Sequence, residues 1–232
     1  LGIAWSVVAK PVYRADGLLQ VEEKAGGMSA LKELQPLLGD STTVSAELEI
    51  LTSRMVLGRV IDKLKLGIEV KPKYFPLIGS AVARRYKDDV PNSPVLGLSS
   101  YAWGGEALQV DALDVPRDAL DKPLILTAGE NGKFELADPD NDTALTGVVG
   151  TRATANQFSI FVSRMSARPG TRFVLVRRST ESAVDKLRKN FNVKERGKKS
   201  GILEVSLLGP DGEKNAVVLD EFRVLNADGL RY

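Results

Sequence analysis

Turn residues punctuate the middle of this chain about every ten residues, the rhythm of an all-β sandwich or barrel. Between Val95 and Arg178, short alternating runs are separated by segments rich in Gly, Pro, Asn and Asp. Leu124 to Ala128 is followed by Glu130-Asn131-Gly132, and Lys133 to Ala137 by Pro139-Asp140-Asn141-Asp142. Ala144 to Val149 and Gln157 to Ser166 come next, then Arg168-Pro169-Gly170 and Arg172 to Val176. Asn131-Gly132 predicts a tight hairpin, because both central positions of such a turn need positive φ.

The flanks read differently. Val12 to Glu23 alternates as a strand, with Tyr13, Ala15, Leu19 and Val21 on one face. Gly26 and Gly27 end it, and a helical patch at Ser29 to Leu38, interrupted by Pro36, fades into the Asp40 to Thr43 loop. Ser45 to Leu66 has the clearest helical pattern. Ser45 caps it, Glu47 and Glu49 lie in its first turns, and Leu48, Leu51, Met55, Ile61 and Leu64 form its stripe. Gly67 stops it. Lys71 to Arg85, with prolines around Tyr74 and Phe75, predicts a rigid connection into a short helix near Ser80. Thr180 to Phe191 returns to helix, capped by Thr180, with Ala183, Val184, Leu187 and Phe191 on one face. Ile202 to Leu208 alternates as a strand, Glu213 to Phe222 begins a helix, and Arg223 to Asn226 reads as a strand. The expected fold class is α+β. A mixed α/β frame, 11–94 and 179–232, receives an inserted antiparallel β-sandwich, 95–178.

Composition removes whole chemistries. There is no Cys and no His among 232 residues, which excludes disulfides, thiolate and imidazole metal ligands, and Ser-His-Asp or Cys-His catalysis. A net charge of +2 does not suit a nucleic-acid binder. Gly197-Lys198-Lys199-Ser200 looks like the tail of a phosphate-binding loop. Asn192 stands where its first glycine is needed, however, and a strand rather than a helix follows. No cofactor is therefore expected in this chain. The apolar run Leu1 to Ala9 is about half the length needed to span a bilayer. It reads either as a buried strand or, with Trp5 and Lys10 as interfacial anchors, as the outer end of a transmembrane helix; the second is preferred, over 1–10.

Four groups of residues are candidates for function, each with a bland alternative. Lys194, Arg196, Lys198 and Lys199, next to Lys186, Arg188 and Lys189, can meet lipid phosphates or a polyanion, or form a solvated face. Tyr101 and Trp103, followed by Gly104 and Gly105, form either a flexible platform for a sugar ring or part of the core. Asp138, Asp140, Asn141 and Asp142 resemble a calcium loop without its later bidentate Glu, and read as a solvated turn. Glu47 and Glu49, two apart, do not share a helix face, which makes them poor acid/base partners.

Several segments, in order, resemble the Wzz/Wzc-type bacterial polysaccharide co-polymerases. They are KPVYRADGLLQVEEK (Lys10 to Lys24), AELEILTSRMVLGRVIDKLKL (Ala46 to Leu66), KYFPLIGSAVAR (Lys73 to Arg84) and the stretch from Arg168 to Leu207. The second is similar to the family's Glu-x-Glu-x-Leu-x-Ser-Arg helix through Glu47, Glu49, Leu51, Ser53 and Arg54. The resemblance implies a membrane-proximal frame on the periplasmic face of the inner membrane, and homo-oligomeric rings, octameric in the Wzc type. It implies action beside a Wzy-type polymerase and an outer-membrane export channel, on a capsular or exopolysaccharide. ATP and Mg2+ would belong to a cytoplasmic tyrosine autokinase domain outside these residues, so the chain itself is expected not to be an enzyme. Glu47, Glu49 and Arg54 are the interface candidates under this reading; a carbohydrate-binding module using Tyr101 and Trp103 is the alternative. The family's long helical hairpin is expected to be absent here, because Asp220-Glu221-Phe222 runs straight into Arg223-Val224-Leu225-Asn226, which resembles the strand that follows the hairpin in the family.

Overall fold

The computed structural model describes residues 11–20, 52–88, 90–138, 140, 142–197 and 202–227. In chain order its strands and helices begin with β1 (Tyr13–Gln20), α1 (Arg54–Lys63), β2 (Ile68–Pro72) and α2 (Gly79–Arg85). Next come β3 (Ala107–Asp114), β4 (Pro123–Ala128), β5 (Lys133–Ala137), β6 (Thr143–Val148) and β7 (Arg152–Ala155). β8 (Phe158–Ser166), β9 (Arg172–Arg177), α3 (Thr180–Asn190), β10 (Phe191–Glu195), β11 (Ile202–Gly209) and α4 (Gly212–Ala227) follow. Among the described residues, those in 65–182 form one compact unit, and those in 10–64 and 183–232 form another. The first division falls at Leu64/Lys65, ahead of the boundary expected at Val95, because β2 pairs antiparallel with β9 and so belongs to the β-rich unit.

The β-rich unit holds two antiparallel sheets, β2-β9-β4-β5-β6 and β3-β8-β7. Period-two burial supplies their shared core: Leu124 and Leu126 on β4, Phe134 and Leu136 on β5, and Phe173 and Leu175 on β9 meet Phe158, Ile160 and Val162 of β8. The β4–β5 hairpin turns on Asn131 (φ 53°) and Gly132 (φ 74°), where Lys133 N–H donates to Glu130 O. Pro72 sits in β2, an edge strand, where its missing N–H costs no ladder bond.

In the other unit, β11 is the centre of the antiparallel sheet β1-β11-β10. Leu203, Val205 and Leu207 are buried on β11, beside Leu19 of β1 and Phe191 of β10. α4 buries Asn215, Val218, Leu219 and Phe222, spaced i, i+3, i+4 and i+7, against β1 and β11. Asn215 Nδ2 donates to Tyr13 O at 3.1 Å, which satisfies this buried amide. A Cβ on Gly209 would lie 2.4 Å from Asn215 Oδ1, so the close approach requires glycine there.

Several expectations are corrected. Within the expected Ser45 to Leu66 helix, the described helix starts at Arg54, capped by Ser53, which has extended backbone (φ −65°, ψ 150°) and accepts from Val56 N–H through Oγ. Ser45, like the patch at 29–38 and the apolar run at 1–10, lies outside the described residues. α1 buries Val56, Leu57, Val60 and Ile61, whereas Met55 is exposed. The helix ends at Lys63, and Lys65 rather than Gly67 turns the chain with positive φ (53°). α3 is capped by Ser179, whose Oγ accepts from Ser182 N–H, and not by Thr180. Phe191 opens β10, a strand the basic composition had concealed. Arg223 to Asn226 is not a strand: α4 runs unbroken to Ala227, and β10 is the third strand of the sheet.

Candidate functional site

The chemistry-bearing residues of the β-rich unit converge where the 98–106 loop closes onto the sheets. Lys73 N–H donates to Arg172 O, and Ala102 N–H to Lys73 O, so the loop is held to the sheet margin by backbone bonds. Phe75 is the hub of an aromatic cluster. Its ring stacks on Trp103 at 5.9 Å and 19°, and meets Tyr101 edge-on at 5.3 Å and 79°. Trp103 is 1% exposed, and its Nε1–H donates to Leu98 O at 3.1 Å. Its faces are therefore covered, and of the two readings of Trp103, sugar platform or core, its burial fits the core. Tyr101 is half-buried beside the same Phe75.

Under this cluster lies a buried carboxylate. Glu106 accepts from Trp103 N–H at 3.0 and 3.1 Å and from Gly104 N–H at 2.6 Å, and receives Arg168 Nη2 at 3.1 Å. The Glu106 side chain is 1% exposed and that of Arg168 22%. The two glycines beside it are required by the backbone. Gly104 (φ 123°) and Gly105 (φ 79°) occupy backbone regions that L side chains rarely adopt. A Cβ at Gly105 would also lie 2.4 Å from Val90 O. Arg168 Nε and Nη1 and Thr171 Oγ1 are buried without a hydrogen-bond partner among the described residues. Composition did not single out Glu106; the Gly-Gly step after Trp103 was the one local signal.

A second charged group joins the ends of β2 and β9. Arg178 Nε donates to Glu69 Oε1 at 2.8 Å, and its Nη1 lies 3.6 Å from Asp121 Oδ1. The Glu69 hydrogen bond leads in holding the Arg178 guanidinium more firmly protonated. Burial alone would raise the Asp121 carboxyl. Hydrogen bonds from Ser179 and Ser182 and the Arg178 charge outweigh that and hold it below its usual value. A depressed carboxyl stabilises the fold above the ordinary carboxylate range and loses that contribution as pH falls through its folded value. Asp121→Asn is therefore expected to flatten the acid limb of stability, read as urea midpoints stepped downward from neutral pH. An unchanged slope would remove Asp121 from acid unfolding.

The remaining candidates are dispersed. Lys186, Arg188 and Lys189 are exposed on α3, the last two in its final turn, where cations suit the helix dipole. Lys194 and Arg196 are exposed, and Lys194 has Glu204 as its cross-strand neighbour. Lys198 and Lys199 lie outside the described residues, as do Glu47 and Glu49. Arg54 is exposed as the first residue of α1. Asp138 Oδ1 accepts from Asp140 N–H and Asp142 N–H, both at 3.0 Å, which makes its loop a self-capped turn. Among the described residues, no group of acidic side chains is placed to hold a metal ion, and no helix is long and apolar enough to cross a membrane.

Two family models match the chain in succession. "Chain length determinant protein" matches residues 1–64, and "Tyrosine-protein kinase Wzc, N-terminal domain" matches residues 68–178. Among curated relatives, the "Putative tyrosine-protein kinase EpsB" of Ralstonia nicotianae is 38% identical over 95% of this chain and 30% of its own length. The "Tyrosine-protein kinase etk" of Escherichia coli O157:H7 is 35% identical over 91% of this chain and 27% of its own. The "Tyrosine-protein kinase wzc" of Salmonella typhimurium is 27% identical over 94% and 28%. The chain thus spans 30% or less of the length of these relatives.

Proposed function

The chain belongs to the family of Wzz chain length determinants and Wzc-type tyrosine-protein kinases, and on that premise we propose that it is the periplasmic part of an inner-membrane polysaccharide co-polymerase. In this role it governs the chain length and export of a capsular or exopolysaccharide without itself catalysing a reaction. Kinase activity, with its ATP and Mg2+, belongs to the remainder of the full-length protein.

The observation that supports this reading is a coincidence of boundaries. The chain length determinant match ends at residue 64 and the Wzc match runs over 68–178. The compact units divide at Leu64/Lys65 and again at Ser182/Ala183. On this reading the β-rich unit is the Wzc-specific insertion in a chain length determinant frame.

The frame acts by assembly. Copies form a ring, octameric in the full-length protein, beside a Wzy-type polymerase and an outer-membrane export channel. Among the described residues β1 and β10 are the edge strands of their sheet, and β1 exposes Tyr13 (49%) and Leu18 (52%), the kind of edge that a second chain can cover. Arg54 carries a cation at the positive end of α1, where the helix dipole disfavours it.

The test is the length distribution of surface polysaccharide on a gel, from cells with and without the full-length gene. Loss of long chains on deletion, restored by complementation, is the expected outcome. Arg54→Glu is expected to shorten the chains and weaken the ring; wild-type lengths with intact rings would remove Arg54 from the mechanism. An unchanged distribution with altered polymer retention would replace co-polymerase action with glycan binding or export.

A further inference from the structure

The stretch 71–87 carries Lys71, Lys73, Arg84, Arg85 and Lys87 and no carboxylate, in a chain of net charge +2. The same stretch holds apolar side chains in water. Leu77 is 80% exposed, Ile78 52%, and Val82 and Tyr74 36% each. Leu77 has φ 66°, a left-handed conformation unfavourable for its side chain. An exposed apolar residue in a strained backbone gains nothing for folding and points to a role outside the monomer.

The turn is built to project these residues. Phe75, at its root, is anchored in the Tyr101–Trp103 cluster. Ile78 N–H donates to Pro76 O at 2.8 Å and Gly79 N–H to Phe75 O at 3.0 Å, which closes the turn tightly. A Cβ on Gly79 would lie 3.0 Å from Phe75 Cβ, so glycine lets the helix start against the anchor. Gly79 and Ala81 face inward on α2. Ile78, Val82 and Arg85 recur at i, i+4 and i+7, so one outward face leads with apolar groups and ends in a cation.

We infer that the turn and helix over 74–85 dock on an anionic lipid bilayer, with Leu77 and Ile78 in the headgroup–acyl boundary and Arg84, Arg85 and Lys87 against headgroup phosphates. An apolar tip beside cations, with Tyr74 and Tyr86 nearby, is the composition that membrane interfaces select. The charge argues against the other occupants. A second copy meeting this face symmetrically would bring like charges together. A soluble polyanion would use the cations but leave Leu77 and Ile78 in water.

The experiment is co-sedimentation of the 232-residue chain with vesicles of phosphatidylethanolamine and phosphatidylglycerol, or of phosphatidylcholine alone. The expected result is binding that favours the anionic vesicles and weakens with salt. Leu77→Asn combined with Ile78→Ser should weaken it about tenfold or more, the scale of two lost apolar contacts. Asn tolerates the left-handed backbone at position 77, so the variant should melt as the wild type does. Arg84→Gln with Arg85→Gln should abolish the lipid preference. All variants keep the apolar run Leu1 to Ala9, so vesicle binding through that segment alone would leave them at wild-type level and overturn the inference. Equal binding to both vesicle types would also overturn it. So would an oligomer, seen by sedimentation velocity, that the Leu77→Asn/Ile78→Ser variant loses.

Discussion

Glu106→Ala is expected to destabilise the β-rich unit by about 3–5 kcal/mol, the range for breaking a buried ion pair from one side. The substitution leaves the Arg168 guanidinium, 22% exposed, without its carboxylate. It also removes the acceptor of the Trp103 and Gly104 backbone N–H groups. Each buried donor left unpaired costs about 1–3 kcal/mol, so the loss has two separable sources. Glu106→Gln keeps an amide oxygen for the backbone donors but not the charge, and should fall between wild type and Ala. The double variant Glu106→Ala/Arg168→Met should lose less than the sum of the single losses, because removing both partners leaves no orphaned charge. Urea midpoints of Glu106→Ala, Glu106→Gln, Arg168→Met and the double variant close this comparison. A loss under about 1 kcal/mol for Glu106→Ala would mean that water replaces the carboxylate at these donors.

That carboxylate also marks where the sequence stops being readable. Glu106 and Arg168 are 62 residues apart, and no local period links them. Elements governed by local chemistry were legible. β5 occupies Lys133–Ala137, the alternating run expected after Asn131-Gly132, because the turn and the pleat are both written in adjacent residues. β3 was not, since register shifts around Val110 break its alternation. β2 is short and contains a proline, which only its edge position permits. β10 hid behind its cations, because an exposed edge strand can carry Lys194 and Glu195 without an apolar run. Trp103 shows the same limit at the candidate site. A Trp beside two glycines can be a sugar platform or, as large aromatics more often are, part of the core, and burial against Phe75 fits the core.

Phe222→Ala is the second large expected effect, about 3–5 kcal/mol on the unit built around β11. Phe222 is 1% exposed, and its ring stacks on Phe191 at 4.5 Å and 17°. Truncation empties the centre of the layer between α4 and the sheet and removes the aromatic pair as well, which adds about 0.5–1.5 kcal/mol. Phe191→Ala should cost a similar amount, and the two losses should not add, because either substitution alone destroys the stack. The same position tests the path of the chain. Sequence alternation favoured a strand beginning at Arg223, whereas α4 continues to Ala227 and leaves Val224 37% exposed. On a helix, Val224→Ser lies on the solvent side and should change stability by no more than about 0.5 kcal/mol. In a strand of the sheet, Val224 would lie on a packed face and its loss would approach that of Phe222. Thermal melts of the two variants side by side therefore separate the alternatives. A large loss at Phe222 with a negligible one at Val224 fits the continuous helix, and comparable losses at both would break α4 at Arg223.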